Sequence, residues 1–247
     1  MEGLLTDYND IAWSDKKNYA ESTRKHQTYF DVRDKPSTII SQTLAKHVVQ
    51  QYLSPGDSII LDSGATCAFV ADEIAVQALS NPGLFYSIMT HNYAAFQTLV
   101  KRVPRERLNV FFAGGRYEEN LNAVLGWPTL KAYEEFTASV TILSASGIVA
   151  SEGVFTHGNT EESEVKRLLF RKPTTRRILI VGNNKIGKRD SLLIDNTETL
   201  GNDAEQCVLV TDRTPPELSR ARKERLNMEL EQLESTDAVA VAVVDAE

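Results

Sequence analysis

Residues 58–74, Ser-Ile-Ile-Leu-Asp-Ser-Gly-Ala-Thr-Cys-Ala-Phe-Val-Ala-Asp-Glu-Ile, constrain the fold more than any other stretch of this chain. Ser58 to Leu61 is a short aliphatic, β-branched run of the kind that forms a buried strand. From Thr66 on, Phe69, Val70, Ile74 and Ala78 fall at helical spacing. Between the two lie Asp62, Ser63, Gly64, Ala65 and Thr66, a turn too short for anything but a direct strand-to-helix reversal. Gly64 allows a positive φ and a close approach by a ligand. The first free amides of the following helix then point out of the carboxyl end of the strand, where the helix dipole favours an anion. Ser63 and Thr66 add hydroxyl donors. The expectation is a cradle for phosphate or carboxylate, although a βα unit needs a small-residue turn whether or not it binds anything.

The rest of the chain repeats the strand-then-helix rhythm. A helix is expected from Pro36 to Leu53, with Ile39, Ile40, Leu44, Val48 and Val49 on its apolar face. Further strands are expected at Leu84–Met89, Leu108–Phe112, Val140–Leu143, Arg177–Val181, Cys207–Val210 and Ala238–Val244. Helices are expected after Asn92, from Pro128 and over Glu161–Phe170. Thr214-Pro-Pro-Glu217 reads as a capping box opening a helix, with Leu218, Ala221, Leu226, Leu230 and Leu233 facing inward. Such alternation implies an α/β fold: an open, mostly parallel sheet with helices on both faces. Residues 1–35, polar with scattered aromatics and no sustained period, are expected to form an N-terminal arm ahead of a single domain over 36–247.

Composition excludes some classes. The net charge of -7 argues against a general nucleic-acid-binding surface, which needs clustered cations. No apolar run reaches the length of a membrane span, so no membrane partner is expected. The two cysteines, Cys67 and Cys207, fall in expected buried elements and read as reduced structural thiols of a cytoplasmic protein. No histidine or cysteine spacing suggests a metal site, and no cofactor is called for.

Four strand ends finish in small or hydrogen-bonding residues: Ser63-Gly64, Thr90-His91-Asn92, Gly114-Gly115 and Ser146-Gly147. In an open parallel sheet, ligands bind outside the carboxyl ends of the strands. Convergence of four such ends points to an anion-binding cleft.

The ordered set of motifs resembles a known family. Ile59-Ile-Leu-Asp-Ser-Gly-Ala-Thr66 resembles the aspartate-serine-glycine-threonine-threonine loop of the DeoR-type sugar-phosphate sensor domain, with Ala65 removing one hydroxyl. Thr90-His91-Asn92 is similar to that family's threonine-asparagine strand end, and Phe112-Ala-Gly-Gly-Arg116 to its glycine-glycine-arginine element. Ser144-Ala-Ser-Gly-Ile148, Glu161 to Arg167, Asn184-Lys185-Ile-Gly187 and Val210-Thr-Asp212 are similar to later elements, in the right order. The resemblance covers about residues 36 to 244. It implies the fold shared by ribose-5-phosphate isomerase, glucosamine-6-phosphate deaminase and coenzyme A transferases, and a phosphorylated sugar or other small anionic metabolite as ligand. Family members are normally transcriptional repressors with an N-terminal winged helix-turn-helix. The roughly 35 residues before Pro36 are too few and too irregular for that module, so direct DNA binding is not expected, and regulation is expected through oligomerisation or a DNA-binding partner protein. The arm and the helix ending near Glu234 suggest a homo-oligomer.

The ligand-binding residues expected are thus Asp62, Ser63, Gly64, Ala65, Thr66, Thr90, His91, Asn92, Gly114, Gly115, Ser146, Gly147, Glu164 and Lys185. Lys185 follows a strand end and is suited to neutralise a phosphate. The run Glu161, Glu162, Glu164, Lys166 reads either as a dipole-complementing first turn or as a polar contact to the sugar through Glu164 or Lys166. His157 and Asn159 are weighed as lining the cleft. An enzyme, a sugar-phosphate isomerase or aminosugar-phosphate deaminase, is the alternative, with Glu164 as base and Lys185 beside the oxyanion. The deaminase aspartate-glycine-histidine signature is missing, its nearest match being Ser151-Glu152-Gly153-Val154, and no paired acidic motif stands at a strand end. A sensor is therefore favoured over an enzyme.

Overall fold

The computed structural model describes residues 36–215, 217–236 and 239–245. The expected N-terminal arm lies outside the described residues. The elements run α1 (Pro36–Tyr52), β1 (Ser58–Leu61), α2 (Ala65–Ser80), β2 (Tyr86–Thr90), α3 (Tyr93–Arg102), β3 (Leu108–Phe112), β4 (Arg116–Glu118), β5 (Ala123–Leu125), α4 (Trp127–Glu135), β6 (Val140–Ser144), β7 (Gly147–Val149), β8 (Gly153–Thr156), α5 (Thr160–Arg171), β9 (Thr174–Ile180), β10 (Leu192–Asp195), β11 (Ala204–Asp212), α6 (Arg220–Glu234) and β12 (Ala240–Val244). Seven strands form one sheet in the order β12-β11-β9-β6-β1-β2-β3, and every pairing within it is parallel. The expected fold class is the observed one.

Side-chain alternation divides the molecule into two cores. Ile59 and Leu61 of β1 enter one, where α1, α2 and α3 bury Leu44, Val48, Phe69, Ile74 and Leu99. Ile60 enters the other with Leu143, Leu179 and Leu209, under Tyr133 of α4, Val165 and Leu169 of α5, and Leu226 and Leu233 of α6. Both cysteines are free and buried, as their neighbourhoods required.

The strand order creates one topological break. From β1 the chain moves outward to β2 and β3, then returns to lay β6 on the other side of β1. The helices after β1 and β6 therefore diverge, and a crevice opens outside the carboxyl ends of that pair. Asp62 follows β1 at this point and Ser144 closes β6. Two antiparallel additions flank the crevice: the β4–β5 hairpin, and a three-stranded sheet ordered β10-β8-β7. Neither was legible as strand, because three- and four-residue segments carry too little period.

One expectation fails at the carboxyl end. The capping box at Thr214–Glu217 does not open a helix; α6 starts at Arg220, and the hydroxyl of Ser219 caps it by accepting from Arg222 N at 3.3 Å. Pro215 precedes another proline, which drives it out of the helical region. Leu226 and Leu233 are buried as expected, Leu218 and Leu230 are half-buried, and Ala221 is exposed.

At the amino end of the sheet, buried Asp57 ties three elements together. Its carboxylate accepts from Ser139 Oγ at 2.8 Å and from Arg176 Nη2 at 2.9 and 3.0 Å, and it turns back to Ser54 N at 2.7 Å. These bonds hold the entries of β1, β6 and β9 level. Replacing Asp57 by Ala removes an acceptor shared by three donors and should lower unfolding free energy by roughly 2–4 kcal/mol; a urea midpoint unchanged from wild type would refute this staple.

Candidate functional site

The turn after β1 has the geometry its residues suggested. Gly64 is the N-cap of α2 with φ +95°, and no side chain caps the helix. An added Cβ there would stand 3.0 Å from Ser144 Oγ, so both conformation and space require glycine. The first rung of α2 runs from Ala68 N to Gly64 O at 3.2 Å, so the amides of Ala65, Thr66 and Cys67 precede the ladder. By contrast, α3, α5 and α6 are capped by the side chains of Asn92, Asn159 and Ser219. The half-buried face of Ala65 and Thr66 opens at the switch point between β1 and β6.

Directly beneath lies an ion pair that no sequence spacing announces. Asp62 is fully buried, and its carboxylate takes hydrogen bonds from Lys166 Nζ and, at 3.0 Å, from Ser144 N. Lys166 is only 2% exposed and also donates to Ser144 O at 3.0 Å. Burial opposes its charge, but the Asp62 and Glu162 carboxylates outweigh that and hold the ammonium's pKa above the ordinary lysine value. Glu162, one turn earlier on α5, accepts from Ser63 Oγ at 2.9 Å and lies 4.0 Å from Lys166 Nζ. Burial raises its carboxyl above the usual range, Asp62 adding to this while Lys166 and Ser63 pull the other way.

The structure sorts the expected residues into groups. Asp62, Ser63, Gly64, Ala65 and Thr66 form the turn itself. Asn92 supports it: its Nδ2 donates to Gly64 O at 3.0 Å while its Oδ1 caps α3. Thr90 is a buried brace, its hydroxyl on Leu61 O at 2.7 Å. His91 is buried behind Asp62, with Nδ1 2.7 Å from Tyr133 Oη and Nε2 3.9 Å from Asp62 Oδ1 without a hydrogen-bond partner. Lys185 reaches the same end of the sheet and donates to Ala145 O at 3.1 Å; burial lowers its pKa, and neighbouring Lys166 adds to that.

Others are placed differently. Ser146 turns its hydroxyl back onto Phe155 O at 3.1 Å, and Gly147 packs against the Lys188 carbonyl, so both belong to the three-stranded sheet. Gly114 and Gly115 make the turn into β4, where the Gly114 carbonyl is held by Thr129 Oγ1 at 2.6 Å. That turn delivers Arg116, which pairs with Glu118 and Glu161. His157 is exposed beside Asp190.

Glu164 is not brought to the site; it is exposed on the outer face of α5. Helical phase is the reason. Two residues turn the chain about 200°, so when Glu162 and Lys166, four apart, face inward, Glu164 faces out. The same period, applied from buried Val165 and Leu169, would have selected Glu162 and Lys166. Ser144 was noted only as part of a strand-end motif and not as a partner of the turn, and Tyr133 had no signal in the sequence. Among the described residues, no three His, Cys, Asp or Glu side chains are grouped to hold a metal ion, and no helix is long and apolar enough to cross a membrane.

An open parallel sheet with a glycine N-cap at its switch point defines an α/β class of domain, and the sequence comparison identifies the family. Residues 41–213 match the DeoR C terminal sensor domain, and the chain belongs to that family. It is 23% identical over 167 residues to an "Uncharacterized HTH-type transcriptional regulator YulB" from Bacillus subtilis (strain 168), covering 68% of this chain and 60% of that protein. The chain thus spans less than two thirds of the length of that relative. Among solved structures, ribose 5-phosphate isomerase A from Methanocaldococcus jannaschii is similar with a TM-score of 0.42 at 13% identity, over 62% of this chain and 55% of that one. For eIF2B beta from Chaetomium thermophilum the TM-score is 0.39 at 15% identity, over 62% and 40%. At those scores neither likeness bears on function.

Two outcomes follow from the buried charges. Lys166→Met leaves Asp62 without its counter-charge and should cost roughly 3–5 kcal/mol of stability, while Asp62→Asn/Lys166→Met should recover more than half of that loss; strictly additive losses in a urea double-mutant cycle would show that the two are not coupled. Burial lowers the pKa of His91 to about 4, with Lys166 adding and Asp62 opposing. The unfolded chain, with an ordinary histidine, binds that proton first, so stability present above about pH 6.5 drains away as pH falls toward 4, by about 3 kcal/mol. Unfolding free energies measured across that window should fall less steeply in His91→Gln, and equal slopes would refute the assignment.

Proposed function

We propose that this chain is a regulatory sensor that takes up a phosphorylated sugar or a related small anionic metabolite and acts in transcriptional regulation. The single observation that carries the ligand is the uncapped start of α2: a glycine N-cap at φ +95°, at the switch point of the sheet, above a carboxylate already neutralised by Lys166. In this reading the phosphate takes the amides of Ala65 and Thr66 and the Thr66 hydroxyl. Lys185 supplies the cation, since its hydrogen bond is to a carbonyl and leaves its charge available. Asn92 and Gly64 hold the turn in shape before ligand arrives, which lowers the entropic cost of binding. Membership of the DeoR sensor family and a relative named as an HTH-type transcriptional regulator support the regulatory half of the reading.

A sensor is favoured over an isomerase or deaminase by the state of the acids. Enediol chemistry needs a carboxylate free to reach a carbon-bound proton. Glu162 instead engages Ser63 and faces Lys166, Asp62 is buried beneath the turn, and Glu164 points outward.

Thermal-shift screening against sugar phosphates, inorganic phosphate and sulfate tests the ligand. Stabilisation should approach about 2.7 kcal/mol at a hundredfold excess over Kd. It should vanish in Gly64→Val, whose side chain meets Ser144, and weaken in Thr66→Ala, which leaves the backbone intact. Silence from the whole panel would sink the reading, and turnover of any member would convert the sensor into an enzyme.

A further inference from the structure

Glu162 is the acid of the α5 first turn that faces inward, and it stands where an anion would have to come. It is 6% exposed, and its Oε1 takes the hydrogen bond of Ser63 Oγ at 2.9 Å. Ser63 directly precedes Gly64 in the turn, so the carboxyl group and an oxyanion taken by the amides of Ala65 and Thr66 share one neighbourhood. Two anionic groups so close, out of water, repel unless a proton lies between them. Resting on the reading under Proposed function, we propose that Glu162 determines which anions this site accepts: binding is coupled to one proton at Glu162, which favours phosphate monoesters, able to bring that proton, over sulfate, which has none to bring near neutral pH.

The surrounding charges do not relieve the conflict. On its own helix, Lys166 lies 4.0 Å from Glu162, but its hydrogen bonds go to Asp62 and Ser144 O. Glu161, the preceding residue, is turned to Arg116 on β4. From the turn after β1, Asp62 adds a second negative charge, offset by Lys166. From the connection before α5, His157 is exposed and spends its Nδ1 on Asp190. Lys185, after β9, bonds Ala145 O, and its charge is disfavoured by burial, with Lys166 adding to this. Behind Asp62, His91 is neutral above about pH 4, while burial keeps Tyr133 and Cys67 protonated. The protein has thus provided one cation for two carboxylates at the turn, and burial pushes Glu162 toward the protonated form.

Phosphate and sulfate separate the two sources of the proton, because a phosphate monoester has a second pKa near 6 and sulfate does not titrate. Calorimetric titration of the full chain with sulfate, inorganic phosphate and glucose 6-phosphate from pH 5.5 to 8.5 should show sulfate affinity falling up to about tenfold per pH unit above the Glu162 pKa. The phosphate ligands should bind more tightly than sulfate and fall with the same limiting slope only once both their own second pKa near 6 and that of Glu162 are passed. Repeating the titration in buffers of different ionisation enthalpy should report about one proton taken up per sulfate. Glu162→Gln keeps an acceptor for Ser63 but cannot ionise; it should bind sulfate with a flat profile, take up no proton, and lose the preference for phosphate. Glu224→Gln, an exposed acid on α6, should behave as wild type and so controls for net charge. A flat wild-type sulfate profile, or the same slope in Glu162→Gln, would overturn the role of Glu162 while leaving the anion site standing. Failure of all three ligands at every pH, in wild type and variant alike, would overturn the anion site and this inference with it. Should the Gln variant not fold, judged by its urea transition, proton uptake by the wild type decides alone.

Discussion

The site depends on the ion pair between Asp62 and Lys166. The carboxylate closes β1, takes the backbone amide of Ser144 from β6, and receives Lys166 from α5, so one group joins two strands and a helix at the point where the sheet opens. As a source of stability such a pair is weak, because desolvation offsets most of the attraction. Its importance lies in the charge it hides. An unpaired carboxylate about 5 Å from a bound anion repels it by roughly 3 kcal/mol at an effective dielectric near 20. The N-terminus of a helix attracts an anion by only about 0.3–2 kcal/mol. Without Lys166 the carboxylate of Asp62 would oppose an anion at the turn more strongly than the helix start attracts one.

That balance also explains the hydrogen bonds around the turn. The backbone of 62–64 is held from three sides: by Asn92 on the Gly64 carbonyl, by Ser144 Oγ on the Ser63 carbonyl at 3.0 Å, and by Thr90 on Leu61. Thr90 and Asn92 come from the end of β2 and Ser144 closes β6, so the register of these strands on either side of β1 sets the spacing of the donors. The polar side chains beneath the turn are mostly engaged with one another, which leaves backbone amides and the half-buried Lys185 as the groups facing outward.

The sequence was legible where local physics and tertiary structure agree. The strand Ser58–Leu61 and the central helices came from apolar period alone, because side chains of a buried parallel strand or an amphipathic helix must repeat. Glycine at 64 was legible because only a residue without Cβ fits a positive φ against Ser144. The capping box misled because the signal was read without the restriction that one proline places on another before it. Glu164 was chosen over Glu162 because charge was read without helical phase, and a phase has meaning only once the buried side is known.

By itself, then, the chain's order of residues determined the alternation of strands and helices and the glycine turn after β1, since both follow from local contacts. Tertiary structure alone decided that Asp62 meets Lys166, 104 positions away, that Ser144 stands against Gly64, and that Glu162 lies over Ser63. Those meetings are set by the return of β6 to the far side of β1. A strand order is a property of the whole sheet's packing, and no local pattern carries it.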